Sequence, residues 1–118
     1  MEDVFKIVML LDFYGQLLTK KQYEVLDLHY NGDYSLSEIA EHMNISRQGV
    51  HDNIKRGRSL LGSYEKRLGL LTRFIEQKKK TEKILQDLES INMSDMKDDD
   101  RQKLSGVIGD VEELIKRL

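Results

Sequence analysis

The stretch Ser46 to Arg58 holds four bases, Arg47, Lys55, Arg56 and Arg58, against one acid, Asp52, a local net charge of +3. Gln48 and His51 lie between them. An arginine fork matches the paired acceptors on a guanine edge, and a glutamine carboxamide matches an adenine edge. Lysine is a compact point charge suited to phosphate. The implied chemistry is noncovalent: Arg47, Gln48 and His51 against base edges, and Ser46, Lys55, Arg56 and Arg58 against phosphates. Asp52 opposes both. Residues 1–45 carry three lysines against eight acids, net −5. A basic strip on an acidic body suits docking of one helix on a phosphate backbone. Four bases also fit an ordinary solvated face.

The elements that must position this strip read as two short helices. Ser35 and, three residues on, Glu38 make a capping box that starts the first. Ile39, Ala40 and Met43 form its apolar face, with Ala40 small enough for a close crossing. Asn44 follows, the non-glycine residue that best tolerates a left-handed turn. Ile45 plugs the turn into the core. Ser46 caps the second helix, and Val50 and Ile54 face inward at i, i+4. Arg47, Gln48, His51, Asp52 and Lys55 then face outward. Caps, small residue, turn and plug fall in the register of a helix-turn-helix, with α-helical recognition of duplex DNA as its chemistry. A plain structural hairpin is the bland alternative.

The rest of the chain reads as all-α. With 118 residues, no proline and 34% charged residues, it favours long uninterrupted helices. Val4 to Tyr14 is too apolar for a surface helix and is expected to pack on two sides, with Gly15 ending or bending it. Thr19 and Gln22 make another capping box, opening a helix to about Tyr30. Its core residues are Val25, Leu26 and Leu28, and Asn31-Gly32-Asp33 is a turn signal.

Leu17 to Arg67, including SLSEIAEHMNISRQGVHDNIK, resembles region 4 of bacterial sigma factors. To about Asn92 the chain resembles the YlxM family, small helix-turn-helix proteins of Gram-positive bacteria encoded beside the signal recognition particle GTPases. The segments DFYGQLLTKKQ, SLSEIAE, ISRQGVHD and LGLLTRFIEQKK carry that likeness. The resemblance implies a sigma-like helix-turn-helix architecture. Nothing in the chain resembles the parts of a sigma factor that melt promoters or bind the core enzyme clamp. Asp52 lies where sigma-like recognition helices often carry a base.

Beyond Lys55 the apolar stripe continues through Leu60, Leu61, Tyr64, Leu68, Leu71, Phe74 and Ile75. Gly57, Gly62 and Gly69 interrupt it, each costing about 1 kcal/mol relative to alanine inside a helix. A bend, a break or a close crossing near Gly62 is expected, with the recognition helix ending about there and a long helix from about Tyr64 to Ser90. Leu70, Phe74, Gln77, Thr81, Ile84, Leu88 and Ile91 give it a heptad-like seam with a polar middle. A polar loop, Asn92 to Lys103, leads into an amphipathic helix with Leu104, Val107, Ile108, Val111, Leu114, Ile115 and Leu118 on one face. The expected division is 1–62 as the helix-turn-helix domain, 63–91 as a dimerisation-type helix and 92–118 as loop and terminal helix.

Several classes are excluded. Without cysteine there is no thiolate site or disulfide framework. His29, His42 and His51 lie at spacings that do not build a metal site, and no glycine cluster matches a phosphate-binding loop. An enzyme, a metal and a cofactor are not expected. No apolar run spans a membrane, and no signal peptide is visible, so a cytoplasmic location without membrane contact is expected.

Three functions fit the residues and the resemblance. One is a homodimeric transcriptional regulator that binds duplex DNA, with signal recognition particle genes among its targets. The second is an accessory factor that contacts the protein or RNA of the signal recognition particle. The third is a dimeric scaffold that keeps the helix-turn-helix shape alone.

Overall fold

A computed structural model describes residues 4–118. Six α-helices, and no strand among the described residues, make the protein all-α: α1 (Val4–Tyr14), α2 (Lys20–Tyr30), α3 (Leu36–Met43), α4 (Arg47–Leu68), α5 (Leu70–Glu89) and α6 (Asp98–Arg117). A 3-10 turn, Gly15–Leu17, joins α1 to α2. The chain divides into two compact units, the first ending at Leu71 and the second beginning at Thr72.

The first unit is built around α4, which packs against α1, α2 and α3. Val25 and Leu26 of α2, Ile39 of α3, and Val50 and Leu61 of α4 are completely buried. Leu10, Leu11 and Tyr14 supply the share of α1. Burial of such side chains contributes about 1.5–3 kcal/mol each. The outer side of α1 is uncovered, with Phe5 68% and Val4 53% exposed. Thus only one of the two expected packing sides of α1 is filled within the unit. Leu28 is half-buried, so the heart of α2 is the Val25–Leu26 pair.

Local signals set the helix starts. Thr19 accepts from the Gln22 N–H at 3.1 Å, and Gln22 accepts from the Thr19 N–H in return. Ser35 and Glu38 repeat this reciprocal pattern. The Ser35 N–H holds the exposed Glu38 carboxyl below the usual carboxylate range. α1 stops at Tyr14, and Gly15 lies where a Cβ would come within 2.8 Å of the Tyr23 ring.

The three glycines of the α4–α5 stretch behave differently from one another. The helix does not end near Gly62. It runs to Leu68, and the break falls at Gly69, whose φ is +63°. Gly62 faces open space, so it costs propensity without serving a close crossing. Gly57 is the close-crossing residue: a Cβ there would lie 2.6 Å from Leu26 Cδ1. The phenol of Tyr14 closes the junction, donating to Glu65 Oε1 at 2.7 Å and accepting from the Leu70 N–H at 2.9 Å. Glu65 Oε1 also accepts from the Leu71 N–H at 3.0 Å.

The second unit comprises α5 from Thr72 onward, a loop and α6. Its side chains reach half-burial at most. On α5 the half-buried row is Phe74, Thr81, Leu85 and Leu88, whereas Ile84 of the expected seam is 43% exposed. The loop is shorter than expected because α6 begins at Asp98, with Asp98, Asp99 and Asp100 in its first turn. Acids there oppose the positive end of the helix dipole. Arg101 ties the loop down, donating from Nη2 to the carbonyls of Met93 and Met96 at 3.2 Å each.

Candidate nucleic-acid interface

The turn between α3 and α4 forms as its residues dictate. Asn44 adopts φ 56° and ψ 47°, the left-handed conformation. The Ile45 N–H then reaches the Ala40 carbonyl at 3.0 Å, and the Asn44 N–H reaches that of Glu41 at 3.4 Å. This pair of bonds is a Schellman closure, which satisfies two of the last carbonyls of α3. Ser46 caps α4 by accepting from the Gly49 N–H at 2.9 Å. One of its two lone pairs is committed to the cap, and its hydroxyl proton remains to donate to a ligand. Ile45 is half-buried under the turn.

The predicted side chains do not form one flat patch. At about 100° per residue, Gln48, Asp52, Lys55 and Ser59 lie along the crest of α4, opposite Val50, Ile54, Gly57 and Leu61. Arg47, His51 and Arg58 fall on one shoulder, and Arg56 on the other. Each shoulder borders a groove of the first unit. One, of ≈ 930 Å³, takes His51, Lys55 and Arg58 as part of its wall, and the other, of ≈ 610 Å³, takes Asp52, Lys55 and Arg56. Lys55 reaches both. Arg47 lines neither and is exposed at the first turn of the helix.

Asp52 is partnered on this surface. Gln48 Nε2 donates to Asp52 Oδ1 at 3.0 Å, and His51 Nδ1 lies 3.8 Å from the same oxygen. The acid thus holds the glutamine carboxamide along the crest and keeps the imidazole near it. Asn53, on the flank, donates to the Gly49 carbonyl at 2.8 Å and is structural.

Two nitrogen-bearing side chains outside the strip line the larger groove: Lys6 of α1 and His29 of α2. Sequence reading did not place them there. The available signal was that Lys6 is the sole cation of the mostly apolar α1, whose one acid is Asp12. His29 Nδ1 lies 2.9 Å from the Tyr34 carbonyl, which only accepts, so this nitrogen carries the proton and the turn orients the ring. His42 packs edge-on against Tyr34, with ring centroids 5.9 Å apart. Neither ring joins a metal set, and no group of three ligating side chains occurs among the described residues. No helix among them is long and apolar enough to cross a membrane.

A capped helix pair with a left-handed turn, seated on two further helices and presenting α4, defines an all-α helix-turn-helix protein. Residues 1–105 match the family described as "Putative helix-turn-helix protein, YlxM / p13 like". The chain belongs to this family, UPF0122. It is 53% identical over 116 residues to a UPF0122 protein of Acetivibrio thermocellus, covering 98% of this chain and 99% of the relative. A Caldanaerobacter subterraneus relative is 53% identical over 85 residues, 71% of this chain and 73% of its own length. A Thermoanaerobacter relative is 42% identical over 113 residues, covering 96% and 97%.

Proposed function

We propose that the protein is a transcriptional regulator that binds duplex DNA by laying the crest of α4 in the major groove. The supporting observation is the geometry of that helix. Its start is fixed by the Asn44 turn and the Ser46 cap, and its crest and shoulders carry Gln48, His51, Lys55, Arg56 and Arg58. Arg47, Gln48 and His51 read base edges in this scheme. Ser46, Lys55, Arg56 and Arg58 hold phosphates on either side. Asp52 orients Gln48 and lowers the nonspecific attraction of the face. A homodimer would present two such helices to successive major grooves. The gene neighbourhood of the resembled family makes signal recognition particle genes the first targets to try.

A salt titration on mixed-sequence duplex DNA tests this. With three or four phosphates neutralised per protomer, log K should fall with log salt at a slope of about −3 to −4. Arg47→Ala should cost roughly 1–3 kcal/mol on a selected site. A flat salt response, or equal affinity for every duplex before and after the change, counts against base reading.

A second reading is favoured by the second unit. Half-burial is the most its apolar side chains reach, with Leu114 59% and Val107 46% exposed, so both helices have surface left to cover. That suits an accessory factor contacting the protein or RNA of the signal recognition particle. Co-precipitation of the particle's GTPase or RNA that survives Arg47→Ala but fails on deletion of 99–118 would support it. Absence of either component from the precipitate would remove it.

A further inference from the structure

We propose that the groove between α1 and the shoulder of α4 is a track for one sugar–phosphate strand of the bound duplex, with Lys6 as a phosphate ligand outside the helix-turn-helix. The inference rests on the DNA-binding reading above and extends its footprint to α1. The groove has a volume of ≈ 930 Å³. Lys6 stands on one wall, and Lys55, Arg58 and His51 stand on the other. Among the described residues, no carboxylate lines it. That composition is unlike the surrounding sequence, because residues 1–45 carry eight acids and only three lysines. The described lining is thus basic on a unit whose sequence is acidic, which is the charge pattern a polyanion selects.

The floor fits the same occupant. Ile7, Leu10 and Ile54 form it, and each is at most 9% exposed. A sugar–phosphate strand alternates an anion with a pentose whose C–H face is apolar. Cations on the walls and aliphatic carbon on the floor complement both parts. Position agrees as well. Leu36, the first residue of α3, lines the groove, and the first helix of a helix-turn-helix is the element that crosses the DNA backbone. A strand passing the start of α3 and running beside α4 would meet Arg58 on one side and Lys6 on the other. The His29 ring, held by the Tyr34 carbonyl, also lines the groove.

The test is anisotropy of a labelled mixed-sequence duplex titrated with the full chain at stepped salt. Wild type is compared with Lys6→Ala, Lys6→Arg, Lys55→Ala and, as a lysine of the second unit, Lys103→Ala. The expected result is a salt slope reduced by about one for Lys6→Ala, with several-fold weaker binding at low salt on every sequence alike. Lys6→Arg should restore the slope, and Lys103→Ala should match wild type. Thermal unfolding of each variant separates loss of a ligand from loss of the fold. A wild-type slope in Lys6→Ala beside a reduced slope in Lys55→Ala would overturn the track while leaving the DNA reading intact. A salt-independent wild type would overturn both.

Discussion

Tyr14 and Glu65, 51 positions apart, share a 2.7 Å hydrogen bond between the end of α1 and the last turn of α4. The same phenol accepts from the Leu70 N–H, so one side chain bridges α1, the end of α4 and the start of α5. Tyr14 is 1% exposed, and its hydroxyl is fully committed. Removing that hydroxyl takes one hydrogen bond from the Leu70 N–H and one from the Glu65 carboxylate, which keeps the one from the Leu71 N–H. Tyr14→Phe should lower stability by about 1–3 kcal/mol, read from the midpoint of urea unfolding at constant slope. An unchanged midpoint would mean that water replaces the phenol at no cost.

The same pair sets a pH dependence. Burial, and then the bond to Glu65, pushes the Tyr14 phenol above its ordinary value of 10.0. A raised folded value means that the neutral phenol is the form the fold favours. This contribution is complete below the unfolded-state value and is lost as pH rises through the folded one. The advantage of wild type over Tyr14→Phe should therefore be constant from neutral pH to about 9 and shrink above 10. Unfolding curves that stay parallel into strong alkali would show that Tyr14 ionises alike in both states.

Gly57 and Gly62 make opposite predictions from the same residue type. Alanine at Gly62 meets open space and gains helix propensity, so it should stabilise by roughly 0.5–1 kcal/mol. Alanine at Gly57 puts a methyl 2.6 Å from Leu26 Cδ1, and Leu26 is completely buried. Repacking costs about 1–3 kcal/mol, which exceeds the propensity gain, so Gly57→Ala should destabilise. Equal shifts in Tm for the two variants would refute the close crossing of α2 on α4.

These glycines also mark what sequence can convey. Capping boxes at Thr19 and Ser35, the left-handed Asn44 and the Ser46 cap are each decided within about four residues, and each was legible. The all-α class followed from them and from the apolar periodicity. The helix break was not legible, because Gly57, Gly62 and Gly69 differ only in what surrounds them. Of the expected seam of α5, Phe74, Thr81 and Leu88 are half-buried, whereas Leu70, Gln77, Ile84 and Ile91 are exposed and Leu85, adjacent to Ile84 and equally aliphatic, is half-buried in its place. For the candidate site, the crest of α4 could be read from its spacing. Lys6 and His29 could not, because tertiary folding brings α1 and α2 to the shoulder of α4. The Tyr14–Glu65 bond escaped for the same reason.

Asn44 offers a test of the turn apart from any ligand. Its φ of 56° costs an ordinary L-residue roughly 1–2 kcal/mol, a cost that glycine escapes. Asn44→Ala should lower stability by about 1 kcal/mol, and Asn44→Gly should be near neutral. DNA affinity of the folded protein should be unchanged in Asn44→Gly, since the residue precedes the Ser46 cap. If alanine is tolerated as well as glycine, the turn is not the left-handed closure described.

Asp52 holds two roles that substitution can separate. It is the one acid on the crest of α4, and its Oδ1 accepts from Gln48 Nε2 at 3.0 Å. Asp52→Asn keeps an oxygen for Gln48 and removes the charge. It should strengthen binding to all duplexes by about 1 kcal/mol at low salt, the order expected for one unit charge near a phosphate in water. That gain should fade toward 0.15 M salt, where the screening length is about 8 Å. Asp52→Ala removes the charge and also releases the carboxamide. It should show the same nonspecific gain but a smaller difference between a selected site and random duplex, because Gln48 then loses rotamer freedom on binding. The comparison is made by anisotropy on both DNAs across salt. If Asn and Ala variants discriminate equally well, Asp52 acts through charge alone. If both bind as wild type does, α4 does not approach the phosphate backbone at this position.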